Sequence, residues 1–168
     1  DIAGRMNHHY KTPFVLPEAV VGEETAVLNG LDGRKMSKSY DNTIPLFVPE
    51  KKLLKLIRKI KTNSLEPGEP KDPSTCTLFQ IFSAFADESR IAAKRQQYAE
   101  GVGWGQLKNE LFDFLNDSLR EPRERYNELM TNPAFVEQTL LKGAEKARLE
   151  AAPLLKQVRQ AVGLRPLA

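Results

Sequence analysis

From Glu50 onward, apolar residues return every three or four positions, and the runs are separated by proline, glycine and Asx residues. That pattern dictates a series of amphipathic helices packed through their apolar stripes. The segment Glu50 to Lys61 is the clearest: Leu53, Leu54, Leu56, Ile57 and Ile60 share one face. Its other face carries Lys51, Lys52, Lys55, Arg58, Lys59 and Lys61 against one acid, Glu50. Such a face can meet water, a membrane surface or a nucleic-acid backbone. Water is the default for a charge run, and RNA phosphate is the better of the other two.

Between Thr62 and Thr75, Pro67, Gly68, Pro70 and Pro73 among polar residues read as a surface connection. Ser74 or Thr75 is then placed to cap a helix bearing Leu78, Phe79, Ile81, Phe82 and Phe85, and Asp87 to cap the next, which runs to Tyr98. Gly101 and Gly103 break the chain before Trp104, and Leu107, Leu111, Phe114, Leu115 and Leu119 define the following stripe. Pro122 should kink or restart the helix, which resumes through Tyr126 and Leu129. Asn132-Pro133 is a cap followed by proline at the first helical position. The last helix carries Val136, Leu140, Ala144, Ala147, Ala151, Leu154 or Leu155, Val158 and Ala161, with a bend expected at Pro153 and an end at Gly163. Trp104, Phe112, Phe114 and Tyr126 sit at helical spacing and read as core rather than as base-stacking platforms.

The first fifty residues are different. Asp1 to Tyr10 reads as a short amphipathic helix, and Pro13 and Pro17 bound an extended Phe14-Val15-Leu16. Thr25 to Leu28 can form a brief strand before the loop Asn29-Gly30-Leu31-Asp32-Gly33. His8-His9 lacks a third ligand at suitable spacing, which favours a helix end over a metal site. The single cysteine, Cys76, rules out an internal disulfide and reads as a lone buried thiol in a reducing compartment. At 168 residues with 40% hydrophobic and 28% charged residues, the chain fits a soluble globular protein, with no run long enough to span a membrane. A net charge of +3 is too small to demand a polyanionic partner. No Gly-x-Ser-x-Gly, His-Glu-x-x-His or Cys-x-x-Cys motif supports a hydrolase or metal reading.

One short stretch carries chemistry. In Gly33-Arg34-Lys35-Met36-Ser37-Lys38-Ser39, two lysines three residues apart alternate with two hydroxyls, and no acid lies from Lys35 to Ser39. Asp32 and Asp41 bracket the loop. Lysine ammonium groups are mobile point charges suited to a polyphosphate, and hydroxyls and backbone N–H groups add donors. A solvated basic turn is the plain alternative. The Gly-x4-Gly-Lys-Ser/Thr spacing of a P-loop is absent.

Lys35-Met36-Ser37-Lys38-Ser39 resembles, residue for residue, the second signature of class I aminoacyl-tRNA synthetases. Asp1-Ile2-Ala3, Phe14 to Ala19, Gly103 to Lys108, Arg123 to Tyr126 and Gly143 to Ala147 are similar to stretches of the bacterial tryptophanyl-tRNA synthetases, in their order and across Asp1 to Leu164. The resemblance implies a mainly α fold: a helical anticodon-binding domain over 43–168, preceded at 1–42 by the C-terminal remnant of a Rossmann-like catalytic domain. It implies ATP-dependent activation of tryptophan to tryptophanyl-adenylate, then transfer to tRNA(Trp), in a cytoplasmic homodimer with Mg2+ on the ATP phosphates. By the same resemblance Lys35 and Lys38 are catalytic and contact the phosphates, Met36 and Ser37 lie near the adenosine, and Ser39 supports the loop. Val27 aligns with a position whose main chain touches adenine, although the loop that follows is one residue shorter than in some relatives.

The family's first signature, His-Ile-Gly-His or a variant, is absent, and the chain starts at Asp1 rather than at a methionine. We therefore expect the C-terminal part of a longer synthetase, inactive alone. Two alternatives stand beside it. One is a stand-alone helical tRNA-binding module, which an upstream reading frame carrying the first signature would exclude. The other is the related part of a tyrosyl-tRNA synthetase, against which the Gly143 to Ala147 string argues.

Overall fold

The computed structural model describes residues 1–21 and 27–164. Among them seven helices form: α1 (Ile2–Tyr10), α2 (Glu50–Lys59), α3 (Thr77–Ser83), α4 (Glu88–Ala99), α5 (Trp104–Ser118), α6 (Arg120–Met130) and α7 (Pro133–Ala161). The described residues contain no strand, only an isolated antiparallel bridge between Asn29 and Lys35. Thr25 and Ala26, half of the expected strand, lie outside the described residues. The mainly α character read from the periodicity is what the structure shows. By its contacts the chain divides into two compact units, Val21–Asn127 and a second made of Asp1–Val20 with Glu128–Ala168.

The first unit is organised by α5. Leu107, Leu111 and Leu115 lie one turn apart and are buried against Leu53, Ile57 and Ile60 of the α2 segment and against α3. α3 is short, and its apolar residues Leu78, Phe79, Ile81 and Phe82 all disappear into the core, with Thr77 buried beside them. Phe82 meets Phe114 at 4.8 Å between ring centroids, and Phe79 meets Tyr98 edge-on at 5.4 Å. Ile57 has no exposed surface, and losing such a side chain to alanine costs about 2–5 kcal/mol.

α4 buries only Tyr98 and packs by charge instead. Lys94 reaches Glu110 of α5 at 2.6 Å and lies 4.9 Å from the Phe82 ring, while Arg90 and Arg95 sit over Phe114 and Phe79. Burial raises the Glu110 carboxyl, but hydrogen bonds from Lys94 and Gln106 outweigh it and hold the group below its ordinary value of 4.5. This contribution is complete above that value and is lost as pH falls through the lower folded-state value. Lys94→Ala is therefore expected to lower stability at neutral pH by about 1–2 kcal/mol. The variant should also lose less than the parent between pH 5 and pH 3, which thermal melts by circular dichroism will check.

Several ends follow the sequence. Asp87 accepts the Arg90 N–H at 2.9 Å, Asn132 accepts the Phe135 N–H at 3.2 Å, and Pro122 sits in the first turn of the restarted helix. Past α7, Gly163 takes φ +81°, and the Leu164 and Gly163 N–H groups return to the Arg159 and Gln160 carbonyls.

Other expectations need correction. Ser74 and Thr75 do not cap α3: both hydroxyls bond the Asp72 carboxylate, and Cys76 is the N-cap residue without a side-chain bond. Cys76 is half-buried, its sulfur 3.3 Å from the Tyr98 hydroxyl. Tyr126 is not core: it is 40% exposed and stacks on Phe47 at 5.1 Å. α7 continues as one helix with Pro153 inside it, which is compatible with the bend expected there.

In the second unit, α1 ends at Lys11 in the left-handed region, and Asn7 pins the returning chain. Its side chain donates to the Phe14 carbonyl at 2.8 Å and accepts from the Phe14 N–H and from the Thr12 hydroxyl. α7 has 29 residues, none of them buried, with Leu140 67% and Leu149 76% exposed. No helix among the described residues is long and apolar enough to cross a membrane.

Candidate functional site

The basic loop is built as a tight ribbon followed by a single turn. The Gly30 N–H donates to the Arg34 carbonyl at 2.7 Å, the Gly33 N–H to the Gly30 carbonyl at 3.0 Å, and the Met36 N–H to the Leu28 carbonyl at 2.8 Å. Gly33 takes φ +83°, a conformation an L side chain strains to adopt. After Met36 the chain extends at Ser37, whose hydroxyl accepts the Ser39 N–H at 3.2 Å, and Lys38–Tyr40 form one 3₁₀ turn. Asp41, at φ 49°, closes the turn by donating its N–H to the Lys38 carbonyl.

Asn42 closes the loop. It is buried, its carboxamide oxygen accepts the Ser37 N–H at 2.8 Å, and its amide donates to Asp32 Oδ1 at 2.7 Å. Its main-chain carbonyl accepts the Leu31 N–H at 2.9 Å, and the Leu31 carbonyl accepts the Lys61 N–H at 2.9 Å, just past α2. A side chain at position 30 would stand 2.4 Å from the Asn42 carbonyl oxygen, so glycine is required there.

The charges sort themselves. Arg34 pairs with Asp32 at 2.7 Å and lies over the Tyr40 ring at 4.3 Å, so its charge is already answered. The Asn42 amide first, and Arg34 against the opposing effect of burial, hold the Asp32 carboxyl down to about 2. Asp32 is thus an anion committed to the loop at any working pH. Lys35 and Lys38 are exposed, and among the described residues neither ammonium group has a hydrogen-bond or ion-pair partner. The loop therefore presents two uncommitted cations from a braced frame, which suits an anion with several charged oxygens.

The other expected site residues fall around this frame. Ser37 is half-buried and Ser39 exposed, both in the turn. Met36 is half-buried, its N–H committed to Leu28, its side chain lining an apolar cavity of about 230 Å³ with Leu28, Ile44, Leu53, Ile81 and Leu115. Val27 is exposed and immediately precedes Leu28. No group of three His, Cys, Asp or Glu residues among those described could hold a metal ion. Asn42 had no place among the residues expected from sequence, since a buried amide in a polar run has no periodic signature; the glycine at position 30 is its one sequence trace. The basic residues of the α2 segment, Lys51, Lys52, Lys55, Arg58, Lys59 and Lys61, are all exposed.

Comparison with known proteins bears on what the loop is. The family described as tRNA synthetases class I (W and Y) matches residues 1–120. A tryptophan–tRNA ligase of Pseudomonas aeruginosa is 52% identical over 99% of this chain and 38% of its own length. One from Neisseria meningitidis is 52% identical over 99% of this chain and 50% of its own length. The crystal structure of the Campylobacter jejuni tryptophanyl-tRNA synthetase complexed with ADP and tryptophan superposes with a TM-score of 0.75 at 42% identity, covering 97% of this chain and 51% of that one. The chain thus spans half or less of the length of the curated relatives it matches.

Proposed function

The chain belongs to the class I tRNA synthetases (W and Y), and we propose that it is the C-terminal part of a cytoplasmic tryptophan–tRNA ligase. On this reading residues 1–42 complete a Rossmann-like catalytic domain and residues 43–168 form the domain that meets the anticodon of tRNA(Trp). The full ligase works as a homodimer on tryptophan, ATP and tRNA(Trp), with Mg2+ carried on the ATP phosphates rather than by side chains of this segment.

The single observation that carries the reading is the pair of uncommitted ammonium groups, Lys35 and Lys38, on a loop braced by Asn42. In the first step a carboxylate oxygen of tryptophan attacks the α-phosphorus of ATP. The bond from that phosphorus to the bridging oxygen breaks, and pyrophosphate leaves with the electron pair. Negative charge builds on the departing group, and Lys35 and Lys38 neutralise it from fixed positions. Ser37 and Ser39 hold the turn that presents Lys38, while the Met36 main chain and Val27 border the adenosine.

A chimera tests this, with residues 1–168 replacing the matching half of the Neisseria meningitidis relative. It should catalyse tryptophan-dependent ATP–pyrophosphate exchange, whereas the 168-residue chain alone should not. A chimera without exchange, or robust exchange by the chain alone, overturns the reading.

The exposed basic face of α2 supports a further contact with tRNA phosphates. If three of its cations engage, the logarithm of the affinity of the chimera for tRNA(Trp) should fall with that of the salt concentration at a slope of about −2 to −3. Filter binding across salt measures this, and a salt-insensitive affinity would return these lysines to a solvated face.

A further inference from the structure

We propose that Asn42 is the positioning residue of the basic loop: its buried carboxamide ties the ribbon before Lys35 to the turn that presents Lys38, and so fixes the main chain from which both ammonium groups reach out. The proposal rests on the reading of Lys35 and Lys38 as phosphate ligands.

Three observations carry it. The first is reach. Asn42 accepts from Ser37 N–H at 2.8 Å, donates to Asp32 at 2.7 Å, and its amide also approaches the Arg34 and Lys35 carbonyls at 3.4 and 3.3 Å. One side chain therefore holds both sides of Lys35 and the residue before Lys38. The second is anchorage. The remaining polar and charged side-chain contacts, Ser37 with Ser39 and Arg34 with Asp32 and Tyr40, lie within the loop, and only the apolar Met36 side chain reaches the core beside them. The Asn42 main chain ties the carboxamide to the helical core: its carbonyl accepts the Leu31 N–H, and the Leu31 carbonyl accepts the Lys61 N–H at the end of the α2 segment. A rigid helix, packed on the core by Ile57 and Ile60, thereby sets the position of the loop. The third is accommodation. Asn42 is only 2% exposed, so its amide must be partnered here, and the backbone gives it room by having no side chain at Gly30.

Asn42 touches no reacting atom in this account. It acts through the lysines, and a displacement of about 1 Å in such a group costs on the order of 100-fold in rate.

In the chimera, Asn42→Ala should lower kcat for ATP–pyrophosphate exchange by about 10- to 100-fold while leaving the KM for tryptophan unchanged. The Ser37 amide should exchange faster with deuterium, and the urea midpoint of the helical core, read from Trp104, should not move. Asn42→Asp should be similarly impaired, since it sets two carboxylates against each other. Adding Asp32→Asn restores one donor facing one acceptor, and should recover much of the rate. An unchanged kcat in Asn42→Ala, a shift of the core midpoint that accounts for the lost activity, or no recovery in the double variant would each overturn the proposal. Lys38→Ala separates the two failures: if it slows exchange while Asn42→Ala does not, the positioning role alone is wrong. If neither slows exchange, the phosphate reading itself has failed.

Discussion

Lys38→Ala in the chimera is expected to slow adenylate formation by about 100- to 1,000-fold, equivalent to roughly 2.7–4 kcal/mol of transition-state stabilisation, with tryptophan binding unchanged. The size follows from where the charge sits. Lys38 opens the 3₁₀ turn and is exposed, and Asp32 within the loop is bound to Arg34 and Asn42. Among the described residues no carboxylate pairs with the ammonium group, so its charge is available to a leaving pyrophosphate. That charge develops only as the α–β bond breaks, and the loss therefore falls on kcat rather than on ground-state affinity. Single-turnover measurement of pyrophosphate release, with tryptophan affinity measured separately, tests both parts. A rate within about twofold of the parent removes Lys38 from the mechanism. Lys38→Arg is not a rescue, because a planar guanidinium meets phosphate oxygens along a fixed fork that the 3₁₀ turn was not built to aim.

The elements of this fold that sequence reveals are those decided by neighbours three or four residues away. The stripe of α2, the Asp87 cap, the Asn132-Pro133 start and the Gly163 stop are all local, and each appears where its residues place it. The basic loop was legible for the same reason, since its charge pattern lies in five consecutive residues. What sequence hid is convergence. Asn42 acts on Asp32, ten positions earlier, and Leu31 reaches Lys61, thirty positions later. Neither pairing has a period.

Helix α7 shows a different limit. Its Pro153 removes one N–H donor and crowds one carbonyl, and the helix continues around it as a bent helix can. Periodicity also tells which face of α7 is apolar without telling what covers it, and Leu140 and Leu149 are exposed. Tyr126 fails similarly, since helical spacing put it with Phe114, whereas it stacks on Phe47 at the surface.

Lys71 is the largest departure, and it carries the second strong prediction. It lies in a segment whose prolines and polar residues read as a surface connection, yet it is 3% exposed. Its ammonium group donates to the carbonyls of Glu66, Glu69 and Gly101 at 3.0, 2.9 and 3.2 Å and sits 5.4 Å from the Trp104 ring. The Lys71 N–H bonds the Tyr98 carbonyl, and the Gly68 N–H bonds that of Gly101, so the segment is clamped onto the junction of α4 and α5. Lys71→Met keeps most of the stem against Trp104 but removes the donor shared by three carbonyls. Each charge-assisted bond is worth about 1.5–3 kcal/mol, and water can re-solvate part of what is exposed, so a net loss of about 3 kcal/mol is expected. Gly101→Ala attacks the same clamp from the other side. Gly101 sits at φ +81°, and an added Cβ would stand 2.5 Å from the Gly68 carbonyl carbon, for a loss of about 3 kcal/mol or more. Because both changes release one clamp, the double variant should lose clearly less than the sum of the two. Urea unfolding followed by the fluorescence of Trp104, the one tryptophan, measures all three. A Lys71→Met loss below about 0.5 kcal/mol, or strict additivity in the double variant, would show that the buried lysine is not what holds the segment down.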